Sequence, residues 1–328
     1  MAAFLDYVTG PLRYADLPGQ GRSLRRRFAP LWHLWPVFRM VDEVHHVVFV
    51  DGIYLSRRLV VLIACTKTHV LGWYVARGET VSAWRALFDR IACPDVVVCD
   101  GGNGIATAVK RSWPTAKIQR CTFHAFNAVK RRTTTRPRTQ AGVELYAIAK
   151  SLLYVDTREE AAHWLVELSN WNHRWKTFLA EKTTLPTGKR VDTHRRLIQA
   201  RNSLNTLASG GTLFTYLEPS LYVADDPIPP TSNLIEGKIN SQLRSLLRQH
   251  RGMPLTHQIK AVLWWCERHT QNPSTPAVLL TNTITDEQIT RLFAQAENYR
   301  KAQQELNQWG TAIEWNDLHH PIPWRDTY

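Results

Sequence analysis

Three acidic residues in this sequence sit in surroundings suited to divalent-cation chemistry. Asp51 interrupts an apolar run, with Val47, Val48, Phe49 and Val50 before it and Gly52, Ile53, Tyr54 and Leu55 after it. β-Branched and aromatic residues in so short a run argue for a strand buried on both faces. A carboxylate in such a strand is costly unless something neutralises it. Asp100 repeats the pattern: Val96, Val97, Val98 and Cys99 precede it, and Gly101 and Gly102 follow. Glu236 stands in a helical segment that opens at Thr231, Ser232 and Asn233. There Ile235, Ile239, Leu243 and Leu246 share one face, while Glu236, Asn240 and Arg244 share another at i, i+4 and i+8. Three carboxylates in one place repel one another, and divalent cations remove that repulsion. Mg²⁺ takes a few carboxylates and completes its octahedron with water and phosphate oxygens. Two such ions about 4 Å apart stabilise the attacking and leaving oxygens of an in-line displacement at phosphorus. The expected cofactor is therefore Mg²⁺ or Mn²⁺, as two ions, with Asp51, Asp100 and Glu236 as metal ligands and catalytic residues.

Each acid also has a plainer reading. Asp51-Gly52 could be a hairpin turn. Asp100 could cap the helix after Gly101 and Gly102. Glu236 could be the third residue of a capping box opened by Asn233. The coincidence of all three in one chain is what favours a shared site. Cys121 and His124 form a further pair, expected at the edge of that site. A zinc site there would need two more close ligands, and no CxxC or HxxxH is present.

The elements that must position these acids follow from periodicity. Strands are expected at 46–55, 58–65 and 70–76, joined by short polar turns as an antiparallel meander. A helix from Thr80 to Ile91 carries Val81, Trp84, Leu87, Phe88 and Ile91 at helical spacing. A strand at 95–99 leads into Asp100 and the tight turn Gly101, Gly102, Asn103, Gly104. A helix to Trp113 and a strand at 117–121 complete the set. That order is the ribonuclease H-like layout, an α/β fold with a mixed sheet. Right-handed crossovers place the fourth strand parallel to the first. Asp51 and Asp100 would then lie roughly 5–8 Å apart, given a strand spacing of about 4.8 Å. Residues 140–225 show only helical periodicity, with a capping box at Thr157–Glu160 and a helix running on to Leu179. Trp164, Trp171 and Trp175 line that helix as core. An all-α insertion is expected here, between the second Asp and the Glu. The domain plan is a basic and aromatic segment at 1–43, the first part of the core at 44–130 and the insertion at 131–230. The C-terminal core helices follow at 231–275, and an amphipathic tail at 276–328. In the tail, Leu292, Phe293, Ala296, Tyr299 and Leu306 form a narrow seam, fit to pack on the body or on a second subunit.

Lys+Arg 41 against Asp+Glu 28 gives a formal charge of +13, which favours a polyanionic partner. The cations expected to meet DNA phosphates are Arg25, Arg26 and Arg27; Lys130, Arg131 and Arg132; and Lys238, Arg244 and Arg248. There is no 18-residue apolar stretch and no signal-peptide pattern, so no membrane role is expected. Five scattered cysteines without a CxxC pair suit a reducing compartment. The expected location is cytoplasmic, on the nucleoid.

Val50-Asp51-Gly52, Cys99-Asp100-Gly101-Gly102-Asn103-Gly104, Cys121-Thr122-Phe123-His124 and Asn233-Leu234-Ile235-Glu236-Gly237 together resemble the Mutator-like transposases of bacterial insertion sequences. The resemblance runs from about residue 44 to 272. It implies a DDE enzyme on a ribonuclease H-like core, with Asp51, Asp100 and Glu236 as the metal-binding triad. Cys121, His124 and Asn233 would belong to the family's signature, in a role the sequence does not reveal. The implied activity is hydrolytic nicking at element ends, followed by attack of the freed 3′-hydroxyl on target DNA. The implied partner is double-stranded DNA, both element ends and target, bound by a homo-oligomer. Relatives carry a DNA-end-binding region before the first Asp, whereas 43 residues precede the core here. The expectation is a shortened copy, or one in which residues 22–38 remain from that region. Two alternatives follow: a truncated DNA-binding regulator of a full-length transposase, or a nuclease of the same fold that cleaves without joining.

Overall fold

Two buried strands carrying one acid each set the centre of the molecule. The computed structural model describes residues 1–16, 21–57, 59–102 and 104–308. Helices Ala2–Thr9 (α1) and Arg22–Phe28 (α2) and the short strand Leu34–Trp35 (β1) come first. Strands Val47–Ser56 (β2), Leu59–Cys65 (β3) and Val70–Ala76 (β4) follow, then helix Val81–Phe88 (α3). Strand Val96–Cys99 (β5), helix Ile105–Ser112 (α4), strand Lys117–Arg120 (β6) and helix Thr122–Thr133 (α5) complete this part of the chain.

The five strands β2 to β6 form one mixed sheet ordered β4-β3-β2-β5-β6. β2, β3 and β4 pair antiparallel, as the short polar turns predict, and β5 runs parallel to β2 and β6. The acid-bearing strands are buried on both faces: Val48, Phe49 and Val50 are fully covered, as are Val96, Val97 and Val98. The Phe88 and Trp113 rings stack 4.1 Å apart and lock α3 to α4. β3 spans Leu59–Cys65; Arg58 and Asn103 of the glycine-rich turn lie outside the described residues.

Helices Gln140–Ser151 (α6), Arg158–Arg174 (α7) and Lys176–Leu179 (α8) come next. Strands Lys182–Thr184 (β7) and Arg190–Asp192 (β8) and helix Arg195–Ser209 (α9) follow. With α5 they build a second hydrophobic core around Leu145, Trp164, Leu168, Trp171 and Leu204. Trp164 and Trp171 are core, Trp164 Nε1 donating to the Ile148 carbonyl (2.7 Å) and Trp171 Nε1 to that of Ala141 (3.0 Å), while Trp175 is half-buried against it. The capping box at Thr157 and Glu160 is present. Two expectations need correction. The segment is not all-α, since β7 and β8 form an antiparallel hairpin. β-Branched Thr183, Thr184 and Val191 favour strands, and Gly188 takes the left-handed turn position at φ +78°. The helix from 158 also breaks at Trp175, whose φ and ψ of −97° and 10° leave the helical region.

The chain returns through residues 226–230. Lys67 Nζ holds Asp226 (2.5 Å), and the Pro230 carbonyl accepts from Thr122 N (3.0 Å). A π-helical stretch, Ile235–Asn240, then runs into helix Ser241–Gln249 (α10). Helix Leu255–Arg268 (α11) is buried from Ile259 to Glu267 and packs on β2, β4 and α1. Helix Pro276–Thr281 (α12), strand Ile284–Thr285 (β9, paired with β1) and helix Asp286–Gln308 (α13) finish the description.

The N-terminal residues are part of the main core. Phe4 packs edge-on against Phe28 and Trp32, and Trp32 stacks on His257 of α11. Asp286 anchors the start of α13 through Lys260 Nζ (2.6 Å) and Trp35 Nε1 (2.6 Å). Beyond that anchor, Leu292 and Phe293 of the expected seam are exposed. The Leu306 side chain and residues 309–328 lie outside the described residues.

Candidate active site

The β2–β5 register brings the two aspartates together. Val50 pairs with Cys99, so Asp51 and Asp100 each stand one residue past the last rung of the β2–β5 ladder. β5 stops there, while β2 continues only against β3, which leaves one side of the β2 backbone open beside Asp51. Asp51 Oδ1 accepts from Gly52 N (2.8 Å), and Asp100 Oδ1 accepts from Gly102 N (2.7 Å). Burial, reinforced by the charges of Asp100 and Glu236, pushes the Asp51 carboxyl up to about 6. The Asp-Gly pair at 51–52 is thus mid-strand, and not the hairpin turn that dipeptide often makes.

The π-helical stretch carries the third acid. Its buried side is Ile235 and Ile239, continued by Leu243 and Leu246 in α10, as the periodicity predicts. The polar stripe divides: Asn240 is buried and donates its Nδ2 to Asp51 Oδ2 (2.5 Å), while Arg244 is exposed. Glu236 is not held by a capping box. Asn233 is exposed and already helical, and the cap-like contact comes from Ser232, whose Oγ donates to Glu236 Oε1 (3.3 Å). Asn240 thereby links the helix that carries Glu236 to the sheet acid Asp51.

Cys121 and His124 lie directly behind Glu236. The Cys121 sulfur accepts from Ser232 N (3.3 Å), and Cys121 N donates to the Cys99 carbonyl (2.9 Å). Among the described residues, His124 Nδ1 is buried without a well-aligned hydrogen bond, 3.5 Å from Glu236 Oε1. The neighbouring Cys121 sulfur, and then the Glu236 and Asp100 charges, hold His124 above the usual histidine range against the opposing pull of burial. Burial raises the Cys121 thiol, but polar contacts from His124 and Ser232 outweigh it and leave the thiol below its ordinary value. The pair therefore ties the β6 end to the segment that carries Glu236.

Sequence reading missed two residues here. Glu79, on the turn between β4 and α3, has its carboxyl held above its ordinary value by burial first and then by Asp100. Arg120, paired in register with Cys99, lays its guanidinium over Gly101. A Cβ at Gly101 would fall 1.0 Å from Arg120 Nη1, and Arg120 Nε and Nη1 are buried without hydrogen-bond partners among the described residues. Gly101 lies at φ +76°, so both backbone conformation and space require glycine. Nothing local marks either residue, because each reaches the site across the fold.

Oxygen donors of this kind suit Mg²⁺ or Mn²⁺. Among the described residues, no three His, Cys, Asp or Glu side chains already converge on one point as a ligand set. The acids are near enough to shift Asp51 but are not drawn onto a common centre. Cys121 and His124 likewise have no third metal-ligating side chain converging on them among the described residues. The predicted DNA-facing cations are mostly on the surface. Arg25, Arg26, Arg27, Arg131, Lys238, Arg244 and Arg248 are exposed, while Lys130 and Arg132 are half-buried. Arg25 leans over the Tyr14 ring (4.8 Å), Lys130 lies 5.9 Å from the Phe126 ring centre, and Arg132 Nη1 donates to the Ala128 carbonyl (3.0 Å).

Residues 34–202 match the family described as "Transposase, Mutator family". The chain belongs to the Mutator family of transposases. The matched stretch of this Mutator-family chain holds Asp51, Asp100, Cys121 and His124; Glu236 lies beyond it. A probable transposase for an insertion sequence element of Corynebacterium diphtheriae is 26% identical over 179 residues, covering 47% of this chain and 52% of that protein. A transposase for insertion sequence element IS905 of Lactococcus lactis is 30% identical over 102 residues, covering 26% of each. The chain thus spans about half the length of the first of these relatives and about a quarter of the second.

Proposed function

We propose that this chain is a DDE transposase that cuts and joins DNA strands of an insertion sequence, on a ribonuclease H-like core. The carrying observation is the strand register that sets Asp51 beside Asp100, with Asn240 bonding the Glu236-bearing helix to Asp51. The sheet order, with its antiparallel meander followed by two parallel strands, supports the fold assignment. Asp51, Asp100 and Glu236 would hold Mg²⁺ or Mn²⁺. When bound, such ions polarise the scissile phosphate and lower the pKa of the attacking hydroxyl.

The chain's own groups account for the rest. Gly52 N fixes Oδ1 of Asp51, whose Oδ2 accepts from Asn240, and Gly102 N fixes Oδ1 of Asp100. Asn240 holds Asp51 in orientation, and Ser232, backed by Cys121 and His124, holds Glu236. In the first step water attacks phosphorus and the P–O3′ bond breaks, leaving a 3′-hydroxyl. In the second, that oxygen attacks a target phosphorus and displaces a target 3′-hydroxyl. The exposed cations on α2 and α10 and at the α5 end are where duplex DNA would be gripped, on the nucleoid, and α13 is the element offered for pairing with a second copy. No helix among the described residues is long and apolar enough to cross a membrane.

A strand-transfer assay on precut ends with Mg²⁺ or Mn²⁺ tests this reading. Joined product, abolished by Asp51→Ala, is expected. Cleavage without joining would make the chain a nuclease, and binding alone would make it a regulator. Joining that survives Asp51→Ala would remove the catalytic assignment.

A further inference from the structure

Glu79 precedes the Thr80 cap of α3 and has no motif around it. Its carboxylate nevertheless lies against the two glycines that follow the aspartates, Gly52 and Gly102. A Cβ on Gly52 would lie 2.8 Å from Glu79 Oε1, and one on Gly102 would lie 2.4 Å from Glu79 Oε2. That same point beside Gly102 is 3.3 Å from Asp100 Oδ1. The space left open by these two glycines, one beside each aspartate, is therefore the space that the Glu79 carboxylate occupies. A side chain at either position would push it out. Tyr54, which shares a face of β2 with Gly52, is the polar partner of Glu79. Chains do not bring a carboxylate against an aspartate pair without cost, and a cation in the pocket removes that cost. Charge balance agrees: two divalent ions carry four positive charges, which Asp51, Asp100 and Glu236 leave incompletely compensated and a fourth carboxylate neutralises.

Resting on the two-ion reading above, we propose that Glu79 is a fourth carboxylate ligand of the divalent-cation site, delivered by the β4–α3 turn through the Gly52 and Gly102 cradle. Mn²⁺ binding to the purified chain without DNA tests it, measured from the free-Mn²⁺ spin-resonance signal. Wild type, Glu79→Gln and Asp51→Asn are compared. Glu79→Gln should weaken Mn²⁺ binding by about tenfold or more. It should also shrink the rise in melting temperature that Mn²⁺ produces, while the melting temperature in EDTA stays at or above wild type, showing that the fold is intact. Wild-type Mn²⁺ affinity in Glu79→Gln alongside weakened binding in Asp51→Asn would overturn the role of Glu79 and leave the two-ion reading standing. Unchanged binding in both variants would overturn both.

Discussion

Asp51 is a residue whose local sequence and energetics pull in opposite directions. Its strand is built to be dry, yet the carboxyl is placed beside Asp100 and within the field of Glu236, and its pKa rises to about 6. A carboxyl whose pKa is higher folded than unfolded binds more protons in the folded state. Its contribution to stability is therefore full below pH 4 and lost as pH rises through 6. With partial solvation allowed for, the loss is about 2 kcal/mol. Asp51→Asn should thus stabilise the metal-free protein by about 2 kcal/mol at pH 7.5, with the difference vanishing near pH 4. Urea unfolding in EDTA at several pH values measures it. A wild-type protein whose stability in EDTA rose between pH 5 and 7, with no effect of Asp51→Asn, would contradict the burial of this charge. A gain in stability on removing a charge is what a site arranged for function at the expense of stability produces.

The π-helical stretch is the element on which the third acid depends. In this π-helical stretch Asn240 bonds the sheet acid Asp51 and Glu236 meets Ser232 and His124, while Ile235 and Ile239 stay in the core. An α-helical reading of the same sequence sends Arg244 along with them, and the structure instead leaves Arg244 exposed. Gly237, in the middle of this stretch, is exposed, and a Cβ there would meet nothing within 4 Å. Gly237→Ala should therefore raise stability by about 0.5–1 kcal/mol, as alanine does in open helical positions. The midpoint of urea unfolding reads this directly. A loss of stability would mean that the π turn uses a backbone freedom only glycine supplies.

At the scale of the whole molecule, charge and core are separated. One hydrophobic core holds the sheet, the N-terminal aromatics and α11; a second holds α5 to α9. The +13 charge is displayed around them, with Arg25, Arg26 and Arg27 exposed on α2. Replacing these three arginines by alanine should weaken binding to any duplex alike. It should also flatten the plot of log affinity against log salt by about 0.9 for each phosphate that is no longer neutralised. Fluorescence anisotropy with two unrelated duplexes measures both effects. A loss confined to one sequence, with an unchanged salt slope, would mean that these residues read bases and not phosphates.

Much of this was legible in the order of residues. Apolar runs broken by an acid and a glycine announced β2 and β5, and short polar turns announced the meander. The spacing of Ile235, Ile239, Leu243 and Leu246 announced a buried helix face. These signals are local, and local backbone preference and periodic burial are properties a sequence carries directly. The family resemblance, carried by four short motifs, also agrees with the match over residues 34–202. What the sequence could not hold is which distant groups meet. Glu79 and Arg120 come beside the aspartates' glycines across the β4–α3 turn and the β6 edge, and Asn240, 189 residues further along the chain, bonds Asp51. The β7–β8 hairpin within a helical segment is a similar case, since its three-residue strands are too short for any periodicity to show. Meetings between residues far apart in the chain are set by packing of whole elements, and that is decided in three dimensions alone.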